Sequence, residues 1–246
     1  MTPRERPARH RPRLGLTARR TRAGRDDHRN EDHDGDHQTT TPPRPETAAR
    51  RREILAAALE IFGAKGYNNG PLAEIAEQVG MTHAGILHHF GSKDRLLVEV
   101  LRYRDESDVE GIEGQHIPDG TELFRHLIRT AFANQDRPGI VQAYAVLSAE
   151  SVTDANPGRE YFEDRYRVLR GEVVNAFRAM CAERGLEDPV QVERAAASIL
   201  AVMDGLQVQW LLDPTQVELA ASSAFAIEAI ALQALDPRPS PFDSEA

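Results

Sequence analysis

Leu72-Ala73-Glu74-Ile75-Ala76, then Val79-Gly80-Met81-Thr82, then His83-Ala84-Gly85-Ile86-Leu87-His88-His89-Phe90-Gly91-Ser92-Lys93 is the stretch that decides the fold. Its first part carries Leu72, Ile75, Ala76 and Val79 at helical spacing and stops at Gly80. Gly80 suits a tight turn because glycine takes a positive φ without steric cost. Thr82 is placed to cap the next short helix, its hydroxyl accepting from a first-turn N–H. Phe90-Gly91 breaks that helix. Ser92 then caps a longer one with Leu96, Leu97, Val100 and Leu101 on one face. Upstream, Ile54, Leu55, Ala58, Leu59, Ile61 and Phe62 form an apolar stripe that Gly66 ends as a C′ glycine. Gly70-Pro71 restarts the chain, with proline expected at the first helical position. Two short helices joined by a tight turn and braced by longer ones make a helix-turn-helix. The first braces, and the second lies in a DNA major groove. Ala76 falls where the two short helices approach closely, so a small side chain is needed there.

The remainder of the chain sets bounds. It has 246 residues, 40% of them apolar, and a formal charge of -9. That is enough to bury a core without disulfides or metals. The single cysteine, Cys181, excludes a disulfide framework and any cysteine-built zinc site, and fits a reducing cytoplasm. No apolar run approaches the ~18 residues of a membrane span, and the Arg-rich start lacks the apolar stretch of a signal peptide. The expectation is a cytoplasmic protein with no membrane partner. Charge is segregated: residues 1–25 carry nine arginines against Glu5, residues 26–37 carry six acids against Arg29, and residues 44–103 are close to neutral. Residues 104–246 carry 25 acids against 12 basic side chains. A polyanion must therefore be met by roughly the first hundred residues.

Residues 1–45 are expected to be a disordered arm, because Arg, Asp, His, Thr and Pro bury too little surface to offset ordering entropy. The arginines suit a basic arm adding phosphate contacts as well as a plain solvated tail or an over-long predicted start of the reading frame. Nothing fixes a coordination geometry in the Asp/His mixture of 26–37, so no metal and no cofactor is expected. The remaining boundaries are a DNA-binding domain over 46–103, a helical ligand-binding and dimerisation domain over 104–236, and a flexible tail over 237–246. The fold class is all-α, with about nine helices.

The series from Ile54 to Phe62, Gly66-Tyr67, Leu72 to Ala76, Val79 to Thr82, and Ile86 to Leu97 resembles the DNA-binding domain of TetR-family regulators. The resemblance covers about residues 49–101. It implies an all-helical homodimer with a small-molecule pocket in the C-terminal domain. Two positions depart from the family pattern. Gly70 followed by Pro71 stands where a hydroxyl residue usually caps the second helix, and Leu87 stands where a tyrosine is usual.

Recognition is then expected to rest on Arg51, Gly70, Thr82, His83, Ala84, Gly85, His88, His89 and Lys93. Thr82 offers a hydroxyl to phosphate. His83, Ala84 and Gly85 lie on the first turn of the reading helix, where side chains reach bases, Ala84 suits a thymine methyl, and Gly85 allows close approach. His88 and His89 are ring N–H donors. Lys93 is a point charge suited to phosphate. Arg50, Arg51 and Arg52 precede the first helix and are placed beside the groove; a solvated helix start would carry the same run.

Beyond residue 104, five apolar helical patterns follow. The last two, at about 189–212 and 215–235, are apolar over more than one face, which predicts burial on two sides and a four-helix dimer interface; a central core helix would give the same pattern. Ala224 and Ile227 are the residues assigned to that interface. Pocket candidates are Phe124, Phe132, Tyr144, Phe162, Tyr166, Phe177, Met203 and Trp210, each equally readable as core. The domain's acidity favours an apolar or cationic effector. No G-x-S-x-G, P-loop, H-E-x-x-H or dinucleotide fingerprint is present, so no enzyme is expected. The function expected is a ligand-responsive repressor released from a palindromic operator. A dimeric helical adaptor whose helix-turn-helix no longer binds specific DNA is the alternative.

Overall fold

The computed structural model describes residues 45–108, 118, 120–185 and 189–238. The expected arm therefore lies outside the described residues except for Pro45, as does most of the expected tail. Among the described residues the chain is nine helices and no strand: α1 (Pro45–Asn69), α2 (Leu72–Gln78), α3 (His83–Phe90), α4 (Lys93–Asp108), α5 (Gly120–Gln135), α6 (Pro138–Glu150), α7 (Arg159–Ala182), α8 (Pro189–Leu212) and α9 (Leu219–Leu235).

The local signals act where the sequence puts them. Gly80 takes φ 64° and Gly91 φ 80°, the left-handed region that glycine enters freely. Thr82 Oγ1 accepts from Gly85 N–H at 3.1 Å, and Ser92 Oγ accepts from Arg95 N–H at 3.1 Å. Pro138 opens α6. Two expectations shift. Pro71 is not the first helical residue: at ψ 139° it stands outside α2 as its N-cap. The last helix starts at Leu219 rather than Thr215, because Asp213 Oδ1 accepts from both the N–H (3.0 Å) and the hydroxyl (2.7 Å) of Thr215 and holds a turn there. α1 contains a break. Gly66 lies at φ 76°, ψ 169°, so the chain leaves the helix there and re-enters it before Asn69.

One apolar core unites α1–α4 around Ile54, Ala58, Phe62, Ile75, Ile86, Leu96 and Leu97, and it continues into Ala143, Tyr144 and Leu147 of α6 and Phe162 of α7. α1 and α6 form the most extensive helix pair. Their axes come close at Gly63, where a β-carbon would meet that of Ala143 at 2.8 Å. A second core joins α5, α7, α8 and α9 through Leu123, Phe124, Phe177, Ile199, Met203 and Ile227. A third, smaller one holds Val141, Trp210 and Leu219. Met203 and Ile227 share one core while Trp210 and Leu219 share the other, so α8 and α9 run antiparallel. Gln207 and Ser223 are buried at the level between them. Gln207 Oε1 and Ser223 Oγ have no hydrogen-bond partner among the described residues.

Two expectations about α8 and α9 are corrected here. Gln191–Leu212 is long and apolar enough to cross a membrane by length and composition, so an apolar stretch of spanning length is present after all. Glu193 and Arg194 stand near its start, and Asp204, Gln207 and Gln209 fall in its second half. Of the two interface residues assigned from sequence, Ala224 is half-buried and Ile227 is turned into the core. Ile227 is 2% exposed within its own core, whereas Val208, Leu212, Phe225 and Leu232 point outward. A helix that is apolar all round carries no periodic mark of which face turns inward.

Candidate nucleic-acid interface and buried polar cluster

α2 and α3 are held at the angle the turn dictates, Met81 N–H donating to Ala76 O at 2.8 Å across it. Ile86 and Phe90 anchor the inner face of α3 in the core. Thr82, His83, Ala84 and His88 are exposed on its other side, while Gly85 and His89 are half-buried. A β-carbon on Gly85 would meet Met81 Cε at 3.0 Å. Burial first, then the neighbouring His88, Arg51 and Arg50 charges, lowers the His89 pKa, so its ring is favoured in the neutral form with one N–H to donate.

Three of the expected contacts have internal work to do. Arg51 donates to His89 O at 2.5 Å, pairs with Glu99 at 3.4 Å and lies 4.3 Å from the centroid of the Phe90 ring. It therefore braces the end of α3 against α1 and α4. Arg50 donates to Val79 O at 2.7 Å, and Arg52 is exposed. Gly70 is buried, and a β-carbon there would strike Phe62 at 2.7 Å; its glycine is accounted for by packing. Lys93 opens α4 with Nζ 4.6 Å from the Tyr67 ring centroid and 3.4 Å from Asn68 O. Burial lowers its pKa, while Asp94 and Glu150 oppose that shift.

The other end of α4 is embedded in polar groups. Arg104 is 3% exposed and its guanidinium stacks 4.6 Å from the Tyr144 ring centroid. Asp105 pairs with Arg104 at 3.2 Å and with Arg165 of α7, and accepts from Tyr161 Oη. Arg165 lies 5.3 Å from the Tyr144 ring. Tyr144 Oη donates to Tyr166 Oη at 3.2 Å, and Tyr166 Oη to Asp204 Oδ2 at 2.6 Å. Burial raises the Asp204 pKa, opposed by the Tyr166 bond and the two arginines. The Phe162 ring meets Tyr144 at 5.6 Å and Tyr166 at 6.5 Å.

The pocket candidates therefore divide. Tyr144, Phe162 and Tyr166 come together in this cluster. Phe124 and Phe177 pack on each other at 4.8 Å in the second core with Met203, and Trp210 belongs to the third. Phe132, at 54% exposed, lines no interior space. Sequence reasoning missed Arg104, Asp105, Tyr161, Arg165 and Asp204. Asp204 alone carried a signal, a carboxylate inside an apolar helix, which must find partners.

A reading helix capped and exposed on one face, joined by one helix to a larger helical domain, defines a DNA-binding transcription regulator. Residues 54–100 match the family of bacterial regulatory proteins named for tetR, and residues 120–235 match the C-terminal domain of BetI-type transcriptional repressors. The chain belongs to the TetR family. It is 30% identical over 166 residues to the HTH-type transcriptional regulator BetI of Rhizobium meliloti, covering 65% of this chain and 77% of that protein. Its fold is that of a transcriptional regulator from Pseudomonas aeruginosa (TM-score 0.62, 22% identity, 77% and 90% of the two chains) and of one from Saccharomonospora viridis solved in complex with choline (TM-score 0.55, 22% identity, 74% and 96%).

Proposed function

We propose that the chain is a homodimeric repressor whose grip on a palindromic operator is released by a small apolar or cationic molecule bound in its C-terminal helical domain. The observation that carries this reading is α4. It begins at Lys93 on the reading head and ends in the Tyr144–Tyr166–Asp204 cluster through Arg104 and Asp105. A 16-residue helix is about 24 Å of rigid rod, so a change at one end moves the other. Two heads enter successive major grooves only at a spacing near ~34–36 Å, and tilting α4 changes that spacing. The exposed apolar side chains of α8 and α9 supply the dimer contact. The relatives that match are named as transcriptional regulators or nucleoid occlusion factors rather than enzymes, which fits a chain without catalytic motifs working in the cytoplasm.

In this reading Thr82 and Lys93 hold phosphates while His83, Ala84 and Gly85 read bases, with His88, His89 and Arg51 at the groove edge and Gly70 setting the approach of α2. Lys93→Ala should weaken binding to every duplex and lower the slope of log affinity against log salt by ~0.9 per head. His83→Ala should change sequence preference and leave the slope in place. Salt titrations on a selected and a scrambled duplex decide between them. An unchanged slope in Lys93→Ala removes Lys93 from the phosphate contacts.

For the effector, the Tyr144 ring already carries Arg104 and Arg165, but Asp204 beside the Phe162 and Tyr166 rings offers a carboxylate next to aromatic faces, the chemistry that holds a small cation. One solved protein of this fold carries choline, so choline is the first probe. The test begins with a palindrome selected from random DNA, followed by calorimetry of choline with and without that duplex. Operator should weaken choline binding by roughly 5–150-fold, the reciprocal of its release. Equal affinities in the two titrations reject choline as inducer. Failure to retain any duplex at low salt rejects the repressor reading in favour of an adaptor.

A further inference from the structure

The break in α1 leaves a backbone donor that its own helix does not serve, and the group that serves it comes from a distant helix. Gly66 turns to φ 76°, ψ 169°. The Tyr67 N–H donates instead to Glu150 Oε2 at 2.7 Å, across 83 positions of sequence. Glu150 is the last residue of α6. Its carboxylate fits against Gly66 so closely that a β-carbon there would lie 2.1 Å from Oε1. Glycine at 66 thus permits both the backbone turn and the approach of Glu150.

What this carboxylate holds is the seat of Lys93. Tyr67 is 8% exposed and packs edge-on to Phe62 at 5.8 Å between ring centroids. Its ring lies under the Lys93 ammonium, its hydroxyl donates to Asp94, and the Asn68 carbonyl beside it stands 3.4 Å from Lys93 Nζ. Lys93 therefore rests on the two residues that follow the break, and the first of them is capped from α6. The close Gly63–Ala143 contact keeps α6 against α1 just before that point.

We propose that Glu150 is a positioning residue for DNA binding: by capping the broken end of α1 from α6 it holds Tyr67 and Asn68 where they aim Lys93 at phosphate. The C-terminal domain then controls the phosphate contact by a second route, through α6 and α1, beside the one through α4. This rests on the reading of Lys93 as a phosphate contact, so Lys93→Ala belongs in the same experiment.

The test is fluorescence anisotropy of full-length protein on a random-sequence duplex across a salt series, with circular dichroism melts of every variant. Glu150→Ala should lower the salt slope by close to the ~0.9 per head of a lost phosphate contact. It should do so only while Lys93 is present: the Glu150→Ala/Lys93→Ala double variant should match Lys93→Ala alone. Glu150→Gln keeps a carbonyl acceptor for Tyr67 and should retain the wild-type slope. Glu150→Asp keeps the charge but shortens the reach, and should behave as Glu150→Ala does. If Glu150→Ala melts before it can be titrated, the Asp and Gln variants give the same contrast.

Several results would overturn the proposal. A wild-type slope in both Glu150→Ala and Glu150→Asp is one, and effects that add in full to those of Lys93→Ala are another. Equal tightening in Ala and Gln would mean that Glu150 acts only as a negative charge near DNA. If Lys93→Ala itself leaves the slope unchanged, the phosphate reading falls and the proposal with it. If Lys93→Ala lowers it and Glu150→Ala does not, the positioning role alone is rejected.

Discussion

The Leu212→Glu/Phe225→Glu double variant should be monomeric and should lose operator affinity by about 10²–10⁴-fold, the avidity that joining two heads provides. Leu212 and Phe225 are 81% and 76% exposed in the single protomer. They lie on helices whose opposite faces are already buried in their own domain. Burying a leucine or a phenylalanine contributes ~1.5–3 kcal/mol each, and a two-fold interface counts each residue twice. Glutamate in those places adds unpaired charge to a contact that must exclude water. Analytical ultracentrifugation and anisotropy on the selected palindrome check this together. A variant that stays dimeric would move the interface elsewhere. Of Ala224 and Ile227, the residues suggested by the sequence pattern, charge at Ile227 tests something different: at 2% exposed it would destabilise the protomer's own core.

Asp105→Ala should lower the folding free energy by about 2–4 kcal/mol. That lies just under the ~3–5 kcal/mol of a fully buried pair, because the Asp105 side chain retains 29% of its exposure. One carboxylate pairs with Arg104 and Arg165 and accepts from Tyr161 Oη. Removing it leaves two guanidiniums facing the same Tyr144 ring. The melting temperature should fall by roughly 5–15 °C. Arg165→Met in that background should recover part of the loss, because removing both partners of a buried pair costs less than removing one. Calorimetric melts of the single and double variants measure the coupling. A melting temperature unchanged by Asp105→Ala would mean that this junction between α4 and α7 does not hold the two together.

Both variants probe contacts that no local pattern discloses, whereas much of the reading head was visible in residue order. Gly80, Thr82, Gly91 and Ser92 act on backbone groups within four residues of themselves. Capping and turn chemistry are short-range, so residue type and spacing suffice to place α3 and α4. Where a neighbouring structure competes, the reading slipped: Thr215 is held in a turn by Asp213, and the helix starts at Leu219.

Sequence by itself determined the helices, their punctuation, and the motif that marks a reading head, because each depends on interactions within one or two turns. Tertiary structure alone decided which side of α9 is core, with Ile227 inward and Phe225 outward. It also decided which of the aromatic candidates meet, and that Asp105 finds Arg165 and Glu150 finds Tyr67. Those pairs lie far apart in the chain. They form only after α6 and α7 have packed on α1 and α4, and that packing is set by the fit of whole helix faces rather than by any residue's near neighbours.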